Sequence, residues 1–137
     1  MNVKVYLSVP MIANRELERA RLMAEVIEGC GHTLTSPWVL GAIEPSSASA
    51  VNAFKRDKEA VEASDAIVAD LSQPSIGVGM ELMAAYQAKK RIILVAKTGT
   101  VTSRMLMHMD DKVLVEFEGD SDLEERLRRA LGGFETQ

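Results

Sequence analysis
A chain of 137 residues is the size of one domain and too short for two, and 47% hydrophobic with 26% charged residues excludes a disordered or collagen-like polymer. Sixteen basic against 20 acidic residues, a net charge of −4 without any basic block, argue against nucleic-acid polymers as partners. The lone Cys30 cannot close an internal disulfide, two histidines are too few for a zinc site, and no apolar stretch approaches the roughly 18 residues of a membrane span.

The chain opens directly into Val3-Lys4-Val5-Tyr6-Leu7, without the basic flank and apolar run of a signal peptide, so the expectation is one cytoplasmic domain over residues 1–137. Val3 to Ser8 reads as a first strand. Asn14 can cap a helix whose apolar stripe is Leu17, Ala20, Ala24 and Ile27, stopped by Gly29 and Gly31. Thr33 to Val39 is a short second strand, and Gly41 to Ala50, with Pro45 and three serines, reads as a mobile lid. A helix from about Ala53 to Ala63 leads into Ala66 to Leu71, an apolar run typical of a buried parallel strand.

The turn from Ser72 to Gly79 precedes a helix from Met80 to Lys89. Arg91 to Lys97 and Val113 to Glu118 are further strands, separated by a short helix or irregular crossover from Ser103 to Met109. Ser121 and Glu124 form a capping-box pattern for a last helix carrying Leu123, Leu127 and Leu131. This alternation predicts a doubly wound, five-stranded, mainly parallel sheet in a flavodoxin-like three-layer sandwich. Ligands of such folds sit beyond the carboxyl ends of the strands, near the topological switch point.

Three polar residues fall there. Tyr6 ends the first strand. Asp57 shares a helical face with Phe54 and Val61, which sets a carboxylate in an apolar stripe unless the helix rolls and Asp57 pairs with Arg56 or Lys58. Glu81 opens the helix after the third strand, where an acid also suits the macrodipole. Gly77 and Gly79 allow a ligand close to the backbone, and the helix start offers N–H groups to an anion. The turn lacks the third glycine of a dinucleotide fingerprint and the Lys-Ser/Thr of a P-loop. Trp38 is a candidate to stack on a base. His32 and His108 have no neighbouring ligands, and Met105, Met107 and Met109 suggest an interface or core.

Tyr6 within Val5-Tyr6-Leu7-Ser8, Asp57, and Gln73-Pro74-Ser75-Ile76-Gly77-Val78-Gly79-Met80-Glu81-Leu82 together resemble the 2′-deoxynucleoside 5′-phosphate N-hydrolases, relatives of the nucleoside 2-deoxyribosyltransferases. The resemblance runs from about Val3 to Asp111, and the 24-residue separation of Asp57 from Glu81 is similar to that family's acid pair. It implies Glu81 as nucleophile, Asp57 as proton donor to the leaving base, and Tyr6 as the group orienting Glu81. An apolar face around Asp57 would favour its protonated form. Ser8, Ser75, Gly77 and Gly79 are the binding candidates. Val101-Thr102-Ser103-Arg104-Met105 is similar to a segment whose serine reaches the neighbouring subunit's site, implying a homodimer with shared sites. Neither cofactor nor metal is implied.

One loop departs from the family pattern. Ile12 stands where an arginine would grip the 5′-phosphate, and Pro10 replaces a serine donor, which leaves Ser75, the Gly77 and Gly79 backbone, Ser103 and Arg15 as alternatives. The expected activity is hydrolysis of deoxynucleoside monophosphates. The alternatives are deoxyribosyl transfer between bases, in which an aspartate and an asparagine usually stand at the positions of Ser75 and Ser103, and a non-catalytic nucleotide-binding module.

Overall fold
Strands buried on both faces should be apolar at almost every position, and the central three are. In the computed structural model, which describes residues 2–12, 14–41 and 51–136, β1 (Lys4–Ser8), β2 (Thr33–Leu34), β3 (Ala66–Asp70), β4 (Arg91–Lys97) and β5 (Lys112–Phe117) form one sheet in the order β2-β1-β3-β4-β5. Every pairing is parallel, so the sheet is wholly rather than mainly parallel. Apart from Gly41, the expected lid lies outside the described residues.

Helices cover both faces: α1 (Leu17–Gly29) and α5 (Asp120–Gly132) on one, α2 (Ala53–Ala63) and α3 (Ile76–Gln87) on the other, with the single turn α4 (Arg104–Met107) between β4 and β5. The two-residue period of a strand sorts side chains between these layers. Val5, Leu7 and Val68 pack towards Met23, Ile27, Leu123 and Leu127. Tyr6, Ile67, Ala69 and Leu94 pack towards Val61, Val78, Leu82 and Ala85. The order reverses between β1 and β3, whose carboxyl ends pair Ser8 with Ala69.

Several boundaries differ from the sequence expectation. The second strand stops at Leu34, because Pro37 opens a 3₁₀ turn (Pro37–Leu40) that carries Trp38. The Ser36 hydroxyl replaces the missing ladder: it accepts from the Leu7 N–H at 2.9 Å and donates to the Leu7 carbonyl at 2.8 Å. α1 begins at Leu17 without a side-chain cap. The Asn14 carbonyl instead accepts from Gln73 Nε2 at 3.1 Å, tying together the loops after β1 and β3. α5 starts at Asp120, so Ser121 lies inside it; Asp122 Oδ2 accepts from the Glu118 N–H at 3.0 Å where a capping box was expected.

α3 starts four residues early. Ser75 is its N-cap, its side chain accepting from the Val78 N–H at 3.3 Å. Its far end closes on Lys89, whose φ of 59° is left-handed, with the Lys90 N–H reaching the Ala85 carbonyl at 2.9 Å. An L-residue pays roughly 1 kcal/mol there and glycine pays little. Lys89→Gly is therefore expected to raise the urea midpoint without changing the slope of the unfolding curve.

Candidate active site
β1 sends Tyr6 and Ser8, two residues apart, to the same face of the sheet, and both are fully buried. Because α3 starts at Ile76, Glu81 falls in its second turn and not, as expected, at its opening. There it meets the end of β1. The Tyr6 hydroxyl donates to Glu81 Oε2 and the Ser8 hydroxyl donates to Oε1 at 2.7 Å. Both carboxylate oxygens are thus held by β1, and Ser8, expected to bind substrate, is seen orienting Glu81.

Burial sets the electrostatics. It raises the Glu81 carboxyl above the ordinary range; the Tyr6 and Ser8 hydrogen bonds oppose that, the Asp57 charge adds to it, and Arg56 counters it. Burial also drives the Tyr6 phenol far above its ordinary value, reinforced by the Glu81 charge. Tyr6 therefore remains a neutral donor at any physiological pH.

A cleft of about 840 Å³ opens beside this group, with Tyr6, Glu81, Asp57, Trp38, Ser75 and Gly77 among its lining residues. It also takes in Ile12, Arg56 and Lys58. The apolar enclosure expected around Asp57 is absent. Phe54 is 63% exposed, and the Asp57 carboxylate pairs with Arg56 Nε at 2.8 Å. Of the two alternatives set by the sequence, the pair with Arg56 holds and the apolar stripe does not, and Asp57 lines the cleft from that pair.

Gly77 and Gly79 are helical residues, and neither has a positive φ. The Gly79 N–H bonds to the Ser75 carbonyl at 3.3 Å. The N–H groups of Ile76 and Gly77, in the first turn, have no acceptor within the helix, so they are the donors an anion would meet. Arg15 is spent on the Val39 and Gly41 carbonyls. Ser103 lines a second groove of about 690 Å³, formed by α3, α4 and the segment after β4, together with Val101, Met105 and Tyr86. The two grooves share Pro74, Ser75, Ile76, Val78 and Met83.

Sequence reasoning missed Arg56 as a cleft residue in its own right. Its guanidinium lies 4.3 Å above the centre of the Trp38 ring, so one face of the residue expected to stack on a base is already covered. Trp38 in turn meets Tyr6 edge-on, with ring centres 6.2 Å apart. It also missed the part-buried pair of Arg19 Nε with the buried Asp70 Oδ2, at 3.0 Å, which ties α1 to the end of β3.

The sequence profile described as nucleoside 2-deoxyribosyltransferase matches residues 5–122. A protein of Thermofilum pendens, provisionally named 2′-deoxynucleoside 5′-phosphate N-hydrolase 1, is 29% identical over 97 residues, 69% of this chain and 68% of that one. Among solved structures, a CMP N-glycosidase of Clostridium botulinum superposes with a TM-score of 0.67 at 19% identity, over 90% of this chain and 97% of that one. A 2-deoxyribosyltransferase of Bacillus psychrosaccharolyticus gives 0.66 at 27% identity, over 88% of this chain and 90% of that one.

Proposed function
The chain belongs to the nucleoside 2-deoxyribosyltransferase family and is an enzyme of the N-glycosidic bond, and from that premise we propose that it hydrolyses 2′-deoxynucleoside 5′-monophosphates to free base and 2-deoxyribose 5-phosphate. The observation that carries this reading is a carboxylate fixed through both oxygens by Tyr6 and Ser8, in one cleft with a second carboxylate, Asp57. A deoxyribosyl–base bond breaks through an oxocarbenium-like state. Glu81 attacks C1′ and the C1′–N bond breaks. The base leaves with that electron pair and takes a proton from Asp57. Water then attacks C1′, giving its proton to Asp57 and releasing Glu81.

Phosphate would rest on the start of α3, where the Ser75 hydroxyl and the Ile76 and Gly77 N–H groups meet the positive end of the helix. Serine at that position suits a phosphate, and the family's transferases tend to carry an aspartate there. The test is a panel of deoxy- and ribonucleoside monophosphates and free deoxynucleosides, followed by chromatography with and without an added acceptor base. Released base that does not depend on acceptor supports hydrolysis.

One observation favours transfer instead: Ile12 faces the cleft and Arg15 is occupied, so no arginine of this loop reaches a phosphate. A charge-assisted hydrogen bond contributes ~1.5–3 kcal/mol, or one to two decades in affinity. Ile12→Arg is therefore expected to tighten monophosphate binding by about tenfold or more, leaving nucleoside affinity unchanged, as read by calorimetry.

The second groove supports a homodimer. Ile76, Val101 and Met105 are 87%, 94% and 71% exposed along it, and a two-fold partner seated there would bring Ser103 of the partner subunit towards the start of α3. Mixing Glu81→Ala with Ser103→Ala subunits, each impaired alone, is expected to restore activity above either parent. A protein that sediments as a fully active monomer rules the shared site out.

A further inference from the structure
The cleft contains a cation that the reaction as written does not use. Arg56 is fixed from two sides: its plane by stacking 4.3 Å over Trp38, and its rotation by Nε donating to Asp57 Oδ1 at 2.8 Å. Its two terminal nitrogens find no acceptor among the described residues, although the side chain is only 34% exposed. Donors held in place in a mostly apolar cleft favour a ligand that brings acceptors. Lys58, the other cation lining the cleft, is paired with Glu62 at 2.9 Å.

We propose that Arg56 selects the leaving base, its Nη groups donating to an exocyclic carbonyl, so that keto bases are cleaved in preference to their amino counterparts. The inference rests on the hydrolase reading and gives it a substrate class. Hypoxanthine and guanine present O6 beside N7, two acceptors that match a guanidinium fork. Adenine presents an amino donor at the same position, which leaves Arg56 opposite another donor. Uracil and cytosine differ in the same way at C4. Arg56 also donates to Asp57 Oδ1, so the group proposed to recognise the base and the group proposed to protonate it sit side by side.

The decisive comparison is 2′-deoxyinosine with 2′-deoxyadenosine 5′-monophosphate, and 2′-deoxyuridine with 2′-deoxycytidine 5′-monophosphate as the parallel pair. Wild type is expected to favour the keto member by about tenfold to a hundredfold in kcat/KM, the range of a hydrogen bond to a charged group. Arg56→Met, which retains a chain able to lie on Trp38, should bring that ratio close to one. Arg56→Lys should retain part of it. Binding of free hypoxanthine and adenine, read by quenching of the chain's single tryptophan, should show the same loss. No preference in wild type, or an undiminished preference in Arg56→Met, overturns the assignment. If no nucleotide is cleaved but hypoxanthine still binds more tightly than adenine through Arg56, the hydrolase reading fails and the assignment stands. If Arg56→Met does not fold, the wild-type ratio and Arg56→Lys decide it.

Discussion

Glu81→Ala is expected to reduce base release by on the order of 10⁴-fold or more while the fold persists, because the proposed mechanism loses its attacking atom and its remaining groups act through it. Tyr6 and Ser8 both donate to Glu81, so neither has a separate contribution to make once it is gone. Chromatographic release assays, with circular dichroism as the folding control, measure both halves. The milder Glu81→Gln tests the electrostatics. Burial raises the Glu81 carboxyl, so the native state holds that proton more tightly than the unfolded chain. Stability then falls as pH rises from the ordinary glutamate pKa, about 4.3, through the raised native one. Glu81→Gln removes that penalty. Its Tm should exceed the parent's near neutral pH, and the difference should vanish as the pH drops below the ordinary carboxylate range. The same shift places the acid limb of the kcat/KM profile above the usual glutamate range. Tyr6→Phe, which removes a hydrogen bond that lowers the Glu81 pKa, should move the limb higher still.

Asp57→Asn is expected to slow base release by about 10²–10⁴-fold, the usual contribution of a placed proton donor. The effect should depend on the base. A base that leaves readily as an anion needs little protonation, so its rate should fall least. A variant that slowed good and poor leaving groups equally would make Asp57 a positioning group for the substrate, not its acid. The neighbouring ion pair adds a second signature. Asparagine keeps a carbonyl for Arg56 Nε but no charge, so stacking on Trp38 should survive and tryptophan emission should change little.

How legible this was depended on the range of the interaction. The layers could be read from the sequence because hydrophobic period is a local signal: Val5 and Leu7 against Tyr6, or Leu123, Leu127 and Leu131, sort themselves by face. The start of α3 was misplaced because Gly77 and Gly79 look like a loop, while the cap that overrides them, the Ser75 hydroxyl on the Val78 N–H, is a single hydrogen bond. The end of β2 was missed for a related reason. The Ser36 hydroxyl, two residues past that end, bonds the backbone of Leu7, 29 residues away in the chain, and so supplies what a ladder would have. Tyr6, Asp57 and Glu81 stood out by their place near the carboxyl ends of the strands, but each alone had a plain structural explanation, and only the resemblance linked them as one candidate set. Arg56 was passed over because an arginine on an exposed helix is ordinary; only its stacking on Trp38, a contact across the cleft, sets it apart.

The short wall made by Ser75, Ile76, Val78 and Met83 faces both grooves at once. A ligand on one side would fix side chains that the other side also uses, so under the proposed nucleotide site and dimer the two events would share a free energy. For the proposed dimer that coupling is reciprocal: whatever factor a second copy seated there would add to nucleotide affinity, the nucleotide would return to the affinity of the copies for one another. Turnover per chain would then rise with protein concentration and level off, and substrate would move that midpoint to lower concentration. Dilution alone would switch the enzyme down.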